Sequence, residues 1–334
     1  MKSKRNILLA LILFSLFSCN ENPFEADIST IDLNVEVNHF DAEIKNFNIN
    51  NADTFINKKT TKYKDFFEIY NSQILRLSLH DSTHYKENFL NFIKYNKAEG
   101  IFAAVDSIFG DYKILDGQII QLLKYYKLHF PEKELPNIVT FLSGFNHSVI
   151  TTESYLGIAL DKYLGKDCNF YQGADKYLRY RMDKAYIPVD VAGAIAESEF
   201  LFNLKGSNML ENMIYRGKVQ YFTNSLLPNY PDTTRFIYTE KQLEWVQQNE
   251  ANIYNHLTED KLLFSNDLLK IRQYTQNAPF TIPLSDASAP RAAAFVGYKI
   301  VFAYMQNNPN LSLSDLMNEN DTQKILDGAN YNPK

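Results

Sequence analysis

Apolar positions along this chain fall into blocks of different period. The first is a continuous run, Ile7 to Phe17, preceded by Lys2, Lys4 and Arg5 and followed by Ser18-Cys19. It is too short to span a bilayer comfortably and has the layout of an export signal. From Asn20 to about Asn57 the chain is polar, apart from Ile31-Asp32-Leu33-Asn34-Val35-Glu36-Val37, whose strict alternation predicts a half-buried strand. From Lys62 to Leu128 the spacing turns helical. Phe66, Phe67, Ile69 and Tyr70, then Phe89, Phe92 and Ile93, then Ile119, Leu122, Leu123 and Tyr126 predict several amphipathic helices.

Pro131 and Pro136 close that block. Ile138 to Leu142 and Ser148 to Thr152, with Gly144-Phe145-Asn146 between them, predict two short strands joined by a turn. Tyr155 to Leu160 is a third strand or the start of a helix. After Pro188 the run Val189 to Leu204 is apolar nearly all round and rich in small residues, the mark of a buried central helix. The remainder reads as helical, interrupted near Pro228 and Pro231 and from Pro279 to Pro290, and no internal repeat is visible. The predicted class is α+β, mostly helical with a small antiparallel sheet.

Composition narrows the picture. A net charge of −5 with no basic stripe argues against a nucleic-acid partner. No second apolar run is long enough for a transmembrane helix. Aromatic residues make up 14% of the chain, nearly all Tyr and Phe, with one Trp at 245. Because Asn, Lys and Ile are abundant too, an A/T-rich genome explains the rings more simply than a glycan-binding surface does. The N-terminal run looks like a bacterial lipoprotein signal, although Phe17 stands where a small residue is usual. On that reading residues 1–18 are removed and Cys19 is lipidated, burying enough acyl CH2 groups for stable anchoring. Residues 19–60 then form a lipidated tether with an N-terminal strand, and 61–334 a single domain. Only Cys168 remains as a thiol, so an intramolecular disulfide is excluded.

Chemistry-bearing motifs are few. His80-Asp81-Ser82-Thr83-His84 has the i, i+4 spacing that could hold zinc, but Asp81, Ser82 and Thr83 are cap and turn formers, and the segment reads as a surface turn between helices. His39, His129, His147 and His256 are scattered, none beside a recognisable nucleophile elbow, and no glycine-rich phosphate loop occurs. Glu197 and Glu199 lie within the apolar segment Ala192 to Phe202, and buried acids need partners. Arg216, just before Gly217 on the following segment, is the expected counter-charge.

The order of strands, buried helix and following helix resembles a family of predicted zinc peptidases with a zincin-like fold, whose central helix bears H-E-x-x-H and whose next helix carries a ligand Glu before Gly. Superposed on that pattern, Ala196 and Phe200 replace the two histidines, Glu197 keeps the place of the general base, and Arg216 takes that of the third ligand. Alanine and phenylalanine have no donor atoms and arginine is a permanent cation, so the degenerate site holds no metal and needs no cofactor. The ending Pro290-Arg291 through Gly297, Ile300-Val301 and Tyr304-Met305, followed by Asn308-Pro309, resembles the closing helix of the same group. Together with the lipidation signal it is similar to the GldB family of gliding-motility lipoproteins of Bacteroidetes.

The resemblance covers about Pro136 to Leu326. It implies a non-catalytic lipoprotein of the cell envelope, facing the periplasm or the outer leaflet, that serves the motility apparatus as a structural or assembly component. Its implied partners are the membrane, through the lipid on Cys19, and other envelope proteins of that apparatus. The alternative is a periplasmic zinc-dependent peptidase with ligands elsewhere, His80 and His84 foremost.

Overall fold

The computed structural model describes residues 22–77 and 82–334. In chain order the elements are β1 (Val37–His39), α1 (Phe40–Ile44), α2 (Ala52–Ile69), α3 (Ser82–Ala98), α4 (Ile101–Phe109), α5 (Lys113–His129), β2 (Asn137–Phe141), β3 (Val149–Thr151) and β4 (Tyr155–Ala159). They continue with α6 (Lys176–Tyr180), α7 (Ile187–Glu199), α8 (Met209–Leu226), α9 (Asp232–Arg235), α10 (Glu240–Gln248), α11 (Glu250–Glu259), α12 (Leu268–Thr275), α13 (Ala292–Asn307), α14 (Leu313–Asn318) and α15 (Thr322–Ala329). Among the described residues no helix is long and apolar enough to cross a membrane.

The fold is α+β and mostly helical as the periodicity predicts, but the sheet is mixed rather than antiparallel. Its order is β1-β2-β4-β3, with β1–β2 and β2–β4 parallel and only β3–β4 antiparallel. The expected hairpin between the strands at 138–142 and 148–152 does not form. A buried carboxylate is the reason. Asp161 accepts hydrogen bonds from the Ser143 amide at 3.0 Å and the Phe145 amide at 2.8 Å, and Gly144 and Phe145 both take left-handed conformations. The loop is thereby drawn toward the end of β4, which then slots beside β2 with Thr140 opposite Ile158, and β3 folds back on the outer edge of β4. Gly157 allows this, since a Cβ there would lie 2.8 Å from Ile150 and 3.0 Å from Phe141.

Packing begins earlier than the expected tether allows. Phe24 is buried against Tyr221 and Phe302, and Phe40, Ile44 and Phe47 are core residues. Alternation over 31–37 survives as half-buried and exposed positions, yet ladder pairing starts only at Val37. The aromatic content goes inward. The Phe40 ring meets Tyr63, Phe66, Phe67 and Tyr70 edge-on, with centroids 5.1 to 6.0 Å apart.

The second half is built on three helices. Pro188 occupies the first turn of α7, where a missing N–H costs nothing. A reciprocal capping box starts α8, with the Asn208 side chain accepting from the Glu211 amide at 2.9 Å and Glu211 accepting from the Asn208 amide at 2.7 Å. Two glycines let α8 and α13 cross at backbone contact. A Cβ on Gly217 would fall 2.4 Å from the Gly297 carbonyl, and one on Gly297 would fall 2.0 Å from the Met213 oxygen.

Candidate functional site

Helical spacing decides which side chains share a face. On α7, Val189, Asp190, Gly193, Ala194 and Glu197 recur at i, i+3 and i+4; on α8, Arg216, Val219, Gln220 and Thr223 do the same. The two faces look at each other across a cavity of about 540 Å3, and Ala294 and Phe295 of α13 form its floor. The turn Arg235 to Tyr238, residues 275–277, and Ser148 and Val149 at β3 complete the wall.

Four arginines line the cavity, Arg181, Arg216, Arg235 and Arg291, against two lining carboxylates, Asp190 and Glu197; the Arg235 guanidinium lies against Asp232 and the Phe24 ring, neither of which lines the cavity. Arg181 is neutralised by an ion pair with Asp190, which is only 8% exposed and also accepts from the Tyr163 hydroxyl at 2.8 Å. Arg291 sits in a left-handed conformation at the start of α13 and lies over the Tyr238 ring, 4.9 Å from its centroid. It donates to the carbonyls of Phe236 at 2.6 Å and Ile237 at 3.1 Å, clamping a turn in which Ile237 is itself left-handed. Those partners are neutral, so the charge of Arg291 is not compensated. Arg235 pairs with Asp232, while its Nε and Nη1 are buried without a hydrogen-bond partner.

Arg216 is the most exceptional of the four, because it makes no hydrogen bond or ion pair with any described residue and its buried Nε has no acceptor. Burial pulls its pKa below the ordinary guanidinium range, opposed by the field of Glu197. Burial likewise lowers that of Arg291, with the charges of Arg181 and Arg216 adding to the effect.

The residues singled out from the sequence are only partly brought together. Glu197 and Arg216 face the same cavity, but the expected ion pair is not formed, and Glu197 is exposed rather than buried. Glu199 points elsewhere, accepting from the Tyr126 hydroxyl and lying 3.2 Å from the Lys133 ammonium. The reason is rotational: two residues along a helix differ by about 200°, so 197 and 199 cannot share a face. Ala196 is fully buried, and Phe200 is half-buried and packs on Phe130 and Phe222 at the edge of the core. Cys19, His80 and Asp81 lie outside the described residues, and His84 is exposed in the first turn of α3. Among the described residues no group of three or more His, Cys, Asp or Glu side chains is placed to hold a metal ion. Cys168 is a half-buried free thiol.

Arg181 and Arg235 give no signal in the sequence, and Arg291 stands out there only as part of the closing pattern. Four arginines spread from 181 to 291 leave no local signature. A second constellation is equally silent. His39 lies 3.1 Å from the Thr140 hydroxyl and 3.3 Å from Asp116, the order of groups in a hydrolase triad, with its ring stacked on Tyr112. Thr140 is 0% exposed and its hydroxyl donates to Asp41, which the Tyr112 hydroxyl also contacts at 2.7 Å. No substrate reaches that oxygen, and the network ties β1, β2 and α5 together instead.

No curated protein and no solved structure matches the chain. The family described as Gliding motility protein GldB matches residues 21–333, from the start of the packed region to within one residue of the C-terminus. The chain belongs to the GldB family of gliding motility proteins.

Proposed function

We propose that this protein acts in gliding as a non-catalytic structural or assembly component of the cell envelope, held to the membrane by a lipid on Cys19 and facing the periplasm. The observation that supports the reading is Arg216, a cation without a hydrogen-bond partner at the position that the resemblance assigns to the third metal ligand. Alanine and phenylalanine at 196 and 200 supply no donors, Ala196 being buried in the core and Phe200 half-buried against it. We infer descent from a zincin-like peptidase in which the cleft persisted and the metal chemistry was lost. We propose further that its partners are other envelope proteins of the motility apparatus; the lipid itself needs no second membrane signal if the chain carries two or three acyl groups.

Complementation of a null strain tests this. Chains carrying His80→Ala with His84→Ala, or Glu197→Gln, are expected to restore spreading and single-cell gliding, and lipoprotein purified in detergent is expected to carry less than about a tenth of an equivalent of zinc. Stoichiometric zinc, with loss of gliding in the histidine double variant, would establish the peptidase instead.

A further inference from the structure

The cavity walled by α7, α8 and α13 holds more positive charge than the protein itself answers. Asp190 satisfies Arg181, and Asp232 reaches one end of Arg235. Arg216 is left with no partner, Arg291 with neutral carbonyls only, and the Nε atoms of Arg216, Arg235 and Arg291 are all buried without acceptors. Buried donors lacking partners are costly, more so when charged, so those of Arg216 and Arg291 at this cavity are a standing demand for an acceptor. Guanidinium forks match the planar or tetrahedral oxygens of carboxylates and phosphates. At about 540 Å3 the cavity exceeds what one small ion fills and falls within the roughly 300 to 1,000 Å3 of small-molecule sites. Beside the arginines run apolar surfaces of Val189, Val219, Phe236 and Phe295.

From this geometry we infer that the cavity is a binding site for a small ligand with an oxyanionic head, carboxylate or phosphate, attached to an uncharged, largely apolar body. The head lies against Arg216, with Arg291 contributing field, and the body rests on the apolar wall. Arg291 is held by its carbonyl contacts before the ligand arrives, so the positive wall is preorganised and little ordering entropy is lost on binding. Glu197 at the lip leaves the site open to anions only past its own charge, which disfavours heads carrying many negative charges. The inference is independent of the role in motility.

Thermal melts of the full lipoprotein in detergent at low salt, with increasing phenyl phosphate, phenylacetate, inorganic phosphate or benzyl alcohol, test it. Phenyl phosphate or phenylacetate should raise the melting temperature in a saturable way, and the stronger of the two identifies the head. Inorganic phosphate should act at least tenfold more weakly, and benzyl alcohol not at all. Arg216→Met should weaken the effect at least tenfold. Ala194→Glu, which puts a carboxylate into the cavity, should abolish it while leaving the unliganded protein no less stable. Absence of any shift with both aromatic anions, an equal shift with benzyl alcohol, or an undiminished shift in both variants would overturn the assignment.

Discussion

Lys218, on α8 one position beyond the close helix crossing, is 6% exposed and donates to the Glu319 carbonyl at 2.7 Å. Burial brings its pKa down from 10.5 to about 8, with Glu319 opposing weakly. The unfolded chain therefore binds more protons than the folded one between about pH 8 and 10.5, and the contribution of this group to stability rises with pH across that window. Below pH 8 the penalty is present in full. Lys218→Met should consequently raise the melting temperature at pH 7, by roughly 2 kcal/mol of stability after the lost hydrogen bond is subtracted. The advantage should shrink as the melts are repeated toward pH 10.5; a constant difference across pH would show that the ammonium is not the cause. Arg216 leads to a related expectation. An ion pair with Glu197 or Glu199 would make its removal cost roughly 3 to 5 kcal/mol. With no such pair in the fold, Arg216→Met is expected to melt within a degree or two of the wild type, or above it.

At the scale of elements, α8 and α13 approach to direct backbone contact at one crossing. Gly297→Ala forces a methyl to within 2.0 Å of the Met213 oxygen, and Gly217→Ala one to within 2.4 Å of the Gly297 carbonyl. Neither obstacle is a flexible side chain, so the helices must part. Each change should cost about 3 kcal/mol or more in denaturant unfolding, the upper end of overpacking effects. Gly193 is the internal control. It lies on α7 with no atom within 4 Å of where a Cβ would stand, so Gly193→Ala should stabilise by roughly 0.5 to 1 kcal/mol through helix propensity. Loss of stability in that variant would mean that the cavity wall has no room for a methyl group. The helices themselves were legible from period alone. Pro188 announced the start of α7, and the apolar run after it announced burial, although the helix stops at Glu199 instead of reaching Leu204.

For the whole molecule the anchor matters most. The packed region begins by Phe24, only a few residues after Cys19, so a lipid on Cys19 would hold the folded domain close to the bilayer. Cys19→Ser should move the protein from the membrane to the soluble fraction and abolish gliding, while its melting temperature stays that of the acylated chain, because the substitution lies ahead of the packed residues that begin near Phe24. Radiolabelled palmitate still entering the variant would place the lipid elsewhere.

Properties that depend on neighbours in the chain were open to reading from the sequence. Helix period, proline breaks and the family pattern from Pro290 to Met305 all arise within a few residues of one another. Properties that depend on which distant faces are buried together were not. The hairpin expected after β2 gave way to a parallel β2–β4 pair because Asp161, eighteen residues beyond Ser143, captured the loop amides. The aromatic residues revealed their purpose only once Phe40 met the rings of α2. The cavity is the extreme case: Arg181, Arg216, Arg235 and Arg291 share no spacing, and it is the packing of α7, α8 and α13 with the segments around them that brings these residues to one cavity wall. Charge at a single position can be read from the chain, but whether that charge finds a partner is decided by packing, and here packing left Arg216 without one.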